Sequence, residues 1–313
     1  MCTAVSINGE THLFGRTLDV DCSYGESVII TPRNFRLEFL HEKAEKSHLA
    51  MIGIGCVRDG VPLYFDAMNE SGLSAAGLNF TISAKYHPFA DGLHNIASFE
   101  VISWVLSQCK TLCDAKELLK STNITSDNFS AALPTTPLHW IIADKTGAIT
   151  VESVSSGLEI HENSLGVLTN EPPFNYHVTH LSDFLQLTPN APKNNICREL
   201  TLAPYSRGMG AMGLPGDFSS SSRFVRAFFV KSHIETSPES DEINRFFHVM
   251  NSVSIPLGCS KNEYGQNMYT LYTSCADSSS LTYHFTTYSD CQIRSVTMDE
   301  CMDGVSLLQA SLE

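Results

Sequence analysis

The sequence predicts an α+β protein in which two stacked, mainly antiparallel sheets lie between helical layers. Strand-like runs come in meanders, several in succession before a helical stretch intervenes. The helical stretches are grouped and do not alternate one-to-one with strands, which disfavours a doubly wound parallel sheet. No repeat, low-complexity tract or linker interrupts the chain, so residues 1–313 are expected to form one domain.

Up to Phe80, short apolar or alternating runs such as Ser27–Thr31, 49–57 and 63–67 are separated by Gly, Asp and Asn turn signals, and they read as sheet. Over 96–108, Ile96, Phe99, Ile102, Val105 and Leu106 recur at helical spacing, and Asp114 then opens a shorter helical stretch, DAKELLKS. Strand character returns at 138–143, 149–154 and 166–168. Helices are expected at 178–187 and 221–233, the second with Phe224, Val225, Phe228 and Phe229 on one face. The chain closes with strands at 268–274, 281–286 and 293–297.

A content of 42% hydrophobic and 17% charged residues, with 17 Phe and 10 Tyr, supplies a core and describes an ordered globular chain. A net charge of −14 and a pI near 5.2 exclude nucleic acid and anionic membrane surfaces as partners, since both reward clustered Lys and Arg. The start, MCTAVSINGETHLFGR, lacks a basic segment leading into an apolar one, and no run approaches the roughly 18 apolar residues of a membrane span. A cytoplasmic protein with no membrane insertion is therefore expected. Ten cysteines scatter without a CxxC pair. Cys22, Cys56, Cys109, Cys113, Cys197, Cys259, Cys275, Cys291 and Cys301 read as reduced core or surface thiols.

The tenth, Cys2, is the most informative residue. Removal of Met1 would leave a thiol and a free α-amine on one residue, so nucleophile and base would arrive together. An unperturbed thiol titrates near ~8.5 and an α-amine near ~7.7–8.0, which lets the neutral amine take the thiol proton close to neutral pH. In FGRTLD, Arg16 could favour the thiolate and Asp19 could orient the ammonium. Either motif alone is ordinary: a Cys after Met by chance, an Arg and Asp in a surface turn.

MCTAVS, FGRTLD, AGLNF, LTNEPPF and LPGDFSSSSRFVRA occur in the order seen in the choloylglycine hydrolase family of N-terminal-nucleophile hydrolases, which this chain resembles over nearly its whole length. Within that family it is most similar to the bacterial bile salt hydrolase branch. The resemblance implies a four-layer αββα sandwich and a linear amidase without metal or cofactor, in which Cys2 attacks a conjugated bile acid and passes through a thioester. It implies catalytic roles for Cys2, Arg16, Asp19, Asn79, Asn170 and Arg223, with the Asn170 amide and the Asn79 backbone N–H as oxyanion donors. Arg223 sits in the first turns of an expected helix, where the dipole disfavours a cation, and that local cost points to function. Thr17 departs from the family, whose members usually carry Asn there.

Asn79 goes with the bile salt branch of this resemblance, where a penicillin V acylase typically carries Tyr. Matched pocket positions are Leu18, Asn79, Phe129, Leu133 and Thr136, mostly apolar as a steroid face requires. Arg207 belongs to a loop bordering the amine side, in a version resembling the glycine-preferring one. A homotetramer is also implied. The alternatives are a penicillin V acylase on the same scaffold, a non-catalytic bile-acid-binding protein, or a redox-sensing thiol protein. GMGAMG spells GxGxxG, but LPGD follows where a helix would have to begin, so it reads as a loop. The dispersed 12 His offer no metal cluster.

Overall fold

The computed structural model describes residues 1–235, 241–298 and 302–312. Its elements run β1 (Cys2–Asn8), β2 (His12–Val20), β3 (Ser27–Thr31), β4 (Met51–Arg58), β5 (Val61–Asn69), β6 (Ser74–Asn79), β7 (His94–Ala97), α1 (Val101–Gln108), α2 (Leu112–Leu119) and β8 (Thr122–Thr125). They continue with β9 (Leu138–Asp144), β10 (Gly147–Val154), β11 (Gly157–Glu162), β12 (Val167–Leu168), α3 (Phe174–His180), α4 (Ser220–His233), α5 (Glu242–Asn251), β13 (Tyr269–Asp277), β14 (Thr282–Thr287), β15 (Arg294–Thr297) and β16 (Leu308–Ser311).

Six strands form one sheet in the order β12-β1-β2-β13-β14-β15, and eight form a second in the order β11-β10-β9-β6-β5-β4-β3-β16. The pairings within both are antiparallel. The sheets face each other through β1 and β2 against β6, with α4 and α5 packed on the first sheet and α1 and α2 on the second. Two apolar clusters fill the layers. One joins Ala4 and Phe14 to Ile54, Met68 and Ile141 across the sheets and takes in Phe224 and Phe246 from the helices. The other seals the second sheet beneath Trp104, Val105 and Leu112. The four-layer αββα sandwich expected from the sequence is what forms.

Close stacking leaves no room for side chains at certain positions. A Cβ at Gly15 would lie 1.9 Å from the Ser274 carbonyl oxygen of the neighbouring strand, so only glycine lets β2 and β13 approach.

The helix expected over 96–108 begins later. Ile96 and Ala97 belong to β7, which pairs in parallel with Ile124 and Thr125 of β8, and the α-helix starts only at Val101. The stretch expected at 178–187 is displaced toward the N-terminus: α3 spans Phe174–His180 and continues as a 3-10 turn over Leu181–Phe184. Thr111, whose side chain accepts from the Asp114 N–H at 3.2 Å, caps α2, which starts at Leu112, two residues before the expected Asp114. The sequence reading missed α5, although Asp241 caps it and Phe246, Phe247 and Met250 bury its inner face. GMGAMG forms no strand–helix junction; Gly208 has a φ of +77° and leads into a 3-10 turn.

His12, at the start of β2, is buried with Nε2 3.0 Å from Ser6 Oγ and, among the described residues, no partner on Nδ1. Burial pushes its pKa down to about 4, with Asp144 and Asp277 opposing the shift only in part. Because the folded value lies below the unfolded one, the unfolded chain takes the proton first as pH falls. Stability is then full above about pH 6.5 and declines toward about pH 4, by ~3 kcal/mol from this group. Urea unfolding of wild type and His12→Asn across that window should show the difference between the two shrinking as pH falls; a constant difference would count against it.

Candidate active site

The β1–β2 hairpin builds the reactive centre. Cys2 pairs with Leu18 and Ala4 with Arg16, and since strand side chains alternate, Cys2, Arg16 and Leu18 share the face toward the second sheet. Thr3, Thr17 and Asp19 face the α4 layer. Cys2 is 3% exposed and Arg16 is 1% exposed, so neither charge nor sulfur is diluted by water. Arg16 Nη2 lies 2.5 Å from Cys2 Sγ. The rest of the guanidinium is fixed by carbonyls: Nη1 donates to Gly77 O at 2.6 Å and Phe65 O at 3.1 Å, and Nε to Thr17 O at 3.2 Å. Burial works against the Arg16 charge, but Cys2, Tyr272, Asp66 and Asp19 outweigh it and raise its pKa overall. A fixed cation therefore touches the sulfur, the environment that turns a thiol into a nucleophile.

The backbone of Cys2 is gripped from the other side. Its N–H donates to Asn170 Oδ1 at 2.8 Å. Arg223 Nη2 donates to the same oxygen at 2.7 Å, while Nη1 donates to Cys2 O at 2.5 Å and Thr3 Oγ1 at 2.6 Å. Asp19 Oδ2 is 4.0 Å from Arg223 Nη1, and Thr270 Oγ1 donates to Asp19 Oδ1 at 2.6 Å. Thr17 Oγ1 accepts from the Thr3 N–H at 3.2 Å and donates to Asp19 Oδ2 at 3.1 Å, so the departure at this position still supplies a link. The structure carries Met1, whose amine donates to Asp19 O at 2.5 Å.

Arg223 occupies the first turn of α4, where Ser219 caps the helix. Asp217 receives Ser219 N–H and Ser222 Oγ, which hold its carboxyl down at about 2, and so supplies the negative charge that a cation at a helix N-terminus needs.

Asn170 Nδ2 donates one hydrogen to Asn79 O at 2.8 Å, which ties the end of β6 to the loop after β12 and leaves the second amide hydrogen for a ligand. The Asn170 backbone is held by Ser220 Oγ at 2.8 Å and His177 Nε2 at 3.0 Å. Glu171 fastens the turn after Asn79, accepting from Ile82 N at 2.8 Å, Ser83 N at 2.7 Å and Ser83 Oγ at 2.8 Å. Asn79 itself is exposed at the rim.

The structure thus brings Cys2, Arg16, Asp19, Asn79, Asn170 and Arg223 together, with Leu18 beside Cys2. The other expected pocket positions make no hydrogen bond or ring contact with these six residues. Phe129 is half-buried, edge-on to Phe99 at 5.4 Å. Leu133 is half-buried, and Thr136 is exposed with its carbonyl accepting from Tyr86 Oη at 2.8 Å. Arg207 is exposed in the long segment before α4, and no contact joins it to Cys2. Sequence reasoning did not connect Thr3, Ser220, His177 and Asp66 with the site, because their contacts there form only across the fold and carry no local signature. The nine described cysteines are free, and Cys301 lies outside the described residues. Among the described residues no helix is long and apolar enough to cross a membrane.

A two-sheet sandwich whose first strand opens with a cysteine at residue 2, backed by a buried arginine, is the architecture of an N-terminal-nucleophile hydrolase. Residues 2–308 match the family model described as linear amide C–N hydrolases, choloylglycine hydrolase family. The chain is 41% identical over its full length to the bile salt hydrolase/transferase of Lactiplantibacillus plantarum, covering 97% of that protein. It is 38% identical to the conjugated bile acid hydrolase of Lactobacillus gasseri, over 96% of each. Two variants of conjugated bile acid hydrolase from Clostridium perfringens superimpose with TM-scores of 0.93 and 0.92 at 34% identity, over 99% of this chain and 97% of theirs. Penicillin V acylase from Agrobacterium tumefaciens shares the fold, with a TM-score of 0.79 at 20% identity, over 100% of this chain and 92% of that one. This chain belongs to the choloylglycine hydrolase family and is an amidase acting on linear amides.

Proposed function

We propose that this amidase cleaves the bond joining glycine or taurine to a bile acid, with Cys2 as nucleophile once Met1 has been removed. The observation that carries the mechanism is the contact of Arg16 Nη2 with Cys2 Sγ at 2.5 Å, combined with a Cys2 nitrogen 2.8 Å from Asn170 Oδ1. Removal of Met1 turns that nitrogen into the α-amine, already oriented by Asn170 and near Asp19. The amine takes the thiol proton, and the thiolate attacks the amide carbonyl. The free Asn170 amide hydrogen and the Asn79 backbone N–H receive the oxyanion. The α-ammonium then protonates the departing glycine or taurine, and water activated by the same amine hydrolyses the thioester. Both half-reactions are complete with groups of this chain and water.

In this reading Leu18, Phe129, Leu133 and Thr136 line the acyl side and Arg207 meets the acidic end of the amine, with glycine conjugates preferred. The names of the relatives at 41% and 38% identity support the substrate class. The working form is a cytoplasmic homotetramer of single-domain chains spanning residues 1–313. The test is amine release from glycocholate and taurocholate beside phenoxyacetate release from penicillin V, using protein whose intact mass shows Cys2 at the N-terminus. Faster turnover of the bile salts, glycocholate foremost, is expected. Dominant penicillin V cleavage would overturn the substrate class, and equal or better taurocholate turnover the glycine preference. Protein that keeps Met1 has an amide where the base should be, and its turnover is expected to fall by roughly a hundredfold or more.

A further inference from the structure

Asp66 on β5 projects into the layer between the sheets and is 1% exposed. Among the described residues no cation pairs with it. Three hydroxyls from the opposite sheet surround it: Tyr272 Oη donates to Oδ1 at 2.7 Å, Ser274 Oγ donates to Oδ2 at 2.8 Å, and Tyr283 Oη also donates to Oδ2. A buried carboxyl with no ion pair is costly, and a rivet between two sheets could be made more cheaply from apolar side chains. Its neighbours give a reason for it. Ser274 Oγ also accepts from the Arg16 N–H at 3.1 Å, and Arg16 Nη1 donates to the carbonyl of Phe65, the residue preceding Asp66.

We propose that Asp66 is a positioning residue that sets how much of the Arg16 charge is available to the Cys2 sulfur. The groups facing this point are Cys2 on β1, Arg16 and Asp19 on β2, Tyr272 on β13, Tyr283 on β14 and Arg223 on α4. With the α-amine neutral, two buried guanidiniums, Arg16 and Arg223, face two buried carboxyls, Asp19 and Asp66. If both carboxyls are ionised, the charges cancel and a thiolate is one negative charge too many. If Asp66 holds a proton, the same cavity is neutral with Cys2 as thiolate. Cys2 and Asp66 therefore compete for one cation. Burial pushes the Asp66 carboxyl up, against the opposing pull of Arg16 and the three hydroxyls.

The inference rests on Cys2 being the nucleophile and is tested without substrate. In Met1-free protein, alkylation of Cys2 by iodoacetamide is followed by peptide mass across pH for wild type, Asp66→Asn and Tyr272→Phe. Removing the competing negative charge should move the half-maximal pH down, with about tenfold faster Cys2 alkylation below the wild-type midpoint in Asp66→Asn. Tyr272→Phe removes a bond that stabilises the ionised carboxyl, so it should shift the profile the same way by less. An unmoved or upward profile in Asp66→Asn overturns the proposal, even if its melting temperature falls, since a rivet alone would change only stability. Should that variant not fold, an unmoved or upward profile in Tyr272→Phe overturns it. A downward shift in a protein that hydrolyses no bile salt would leave this inference standing and remove the substrate assignment.

Discussion

Cys2→Ala is expected to lower amide turnover by on the order of ten-thousand-fold while leaving the fold in place. Every step proposed for the reaction passes through the sulfur. The stability cost should be small, about 1 kcal/mol, because a single buried atom is lost. Arg16 keeps its bonds to the carbonyls of Gly77, Phe65 and Thr17, so its guanidinium is not left unsatisfied. The check is steady-state turnover of glycocholate beside a thermal melt. Turnover above about a hundredth of wild type would mean that the nucleophile lies elsewhere.

Arg223→Met should cost far more stability, about 3–5 kcal/mol, as well as most of the turnover. The guanidinium is fully buried and holds Cys2 O, Thr3 Oγ1, Asn170 Oδ1 and Phe218 O at once. Methionine fills the space but leaves those oxygens short of donors and the buried Asp19 carboxyl without its nearest cation. Lysine should not rescue it, since one ammonium cannot reproduce a fork that spans the Cys2 and Asn170 oxygens. Urea unfolding of both variants provides the measurement. A loss under about 1 kcal/mol for methionine would show that Arg223 is not the keystone its bonds suggest.

What could be read in the sequence divides along contact range. The β1–β2 hairpin places Cys2 and Arg16 together because they lie on adjoining stretches, so FGRTLD after MCTAVS was legible as a reactive pair. Asn170 and Arg223 meet Cys2 from far along the chain; the ordered motifs pointed to both, and local pattern hinted only at Arg223, through a cation in the first turns of a helix. Asp66, Tyr272 and Tyr283 were illegible because their meeting depends on how two sheets stack. The helix expected from residue 96 shows the same limit: Ile96, Phe99 and Ile102 have helical spacing, yet parallel pairing with Ile124 claims the first of them for a strand. The missed α5 is different, since Asp241 and the Phe246–Phe247 pair signalled it openly.

Arg16 reaches from the first sheet to carbonyls of the second, so the cation that touches the sulfur is also a strut between the two halves of the sandwich. Reactivity and mechanical integrity then fail together. A heated molecule whose sheets have begun to slide has already withdrawn the charge from its thiol. Partly opened chains should therefore be chemically quiet, and loss of activity on warming should coincide with the first loosening of the layers and precede complete melting.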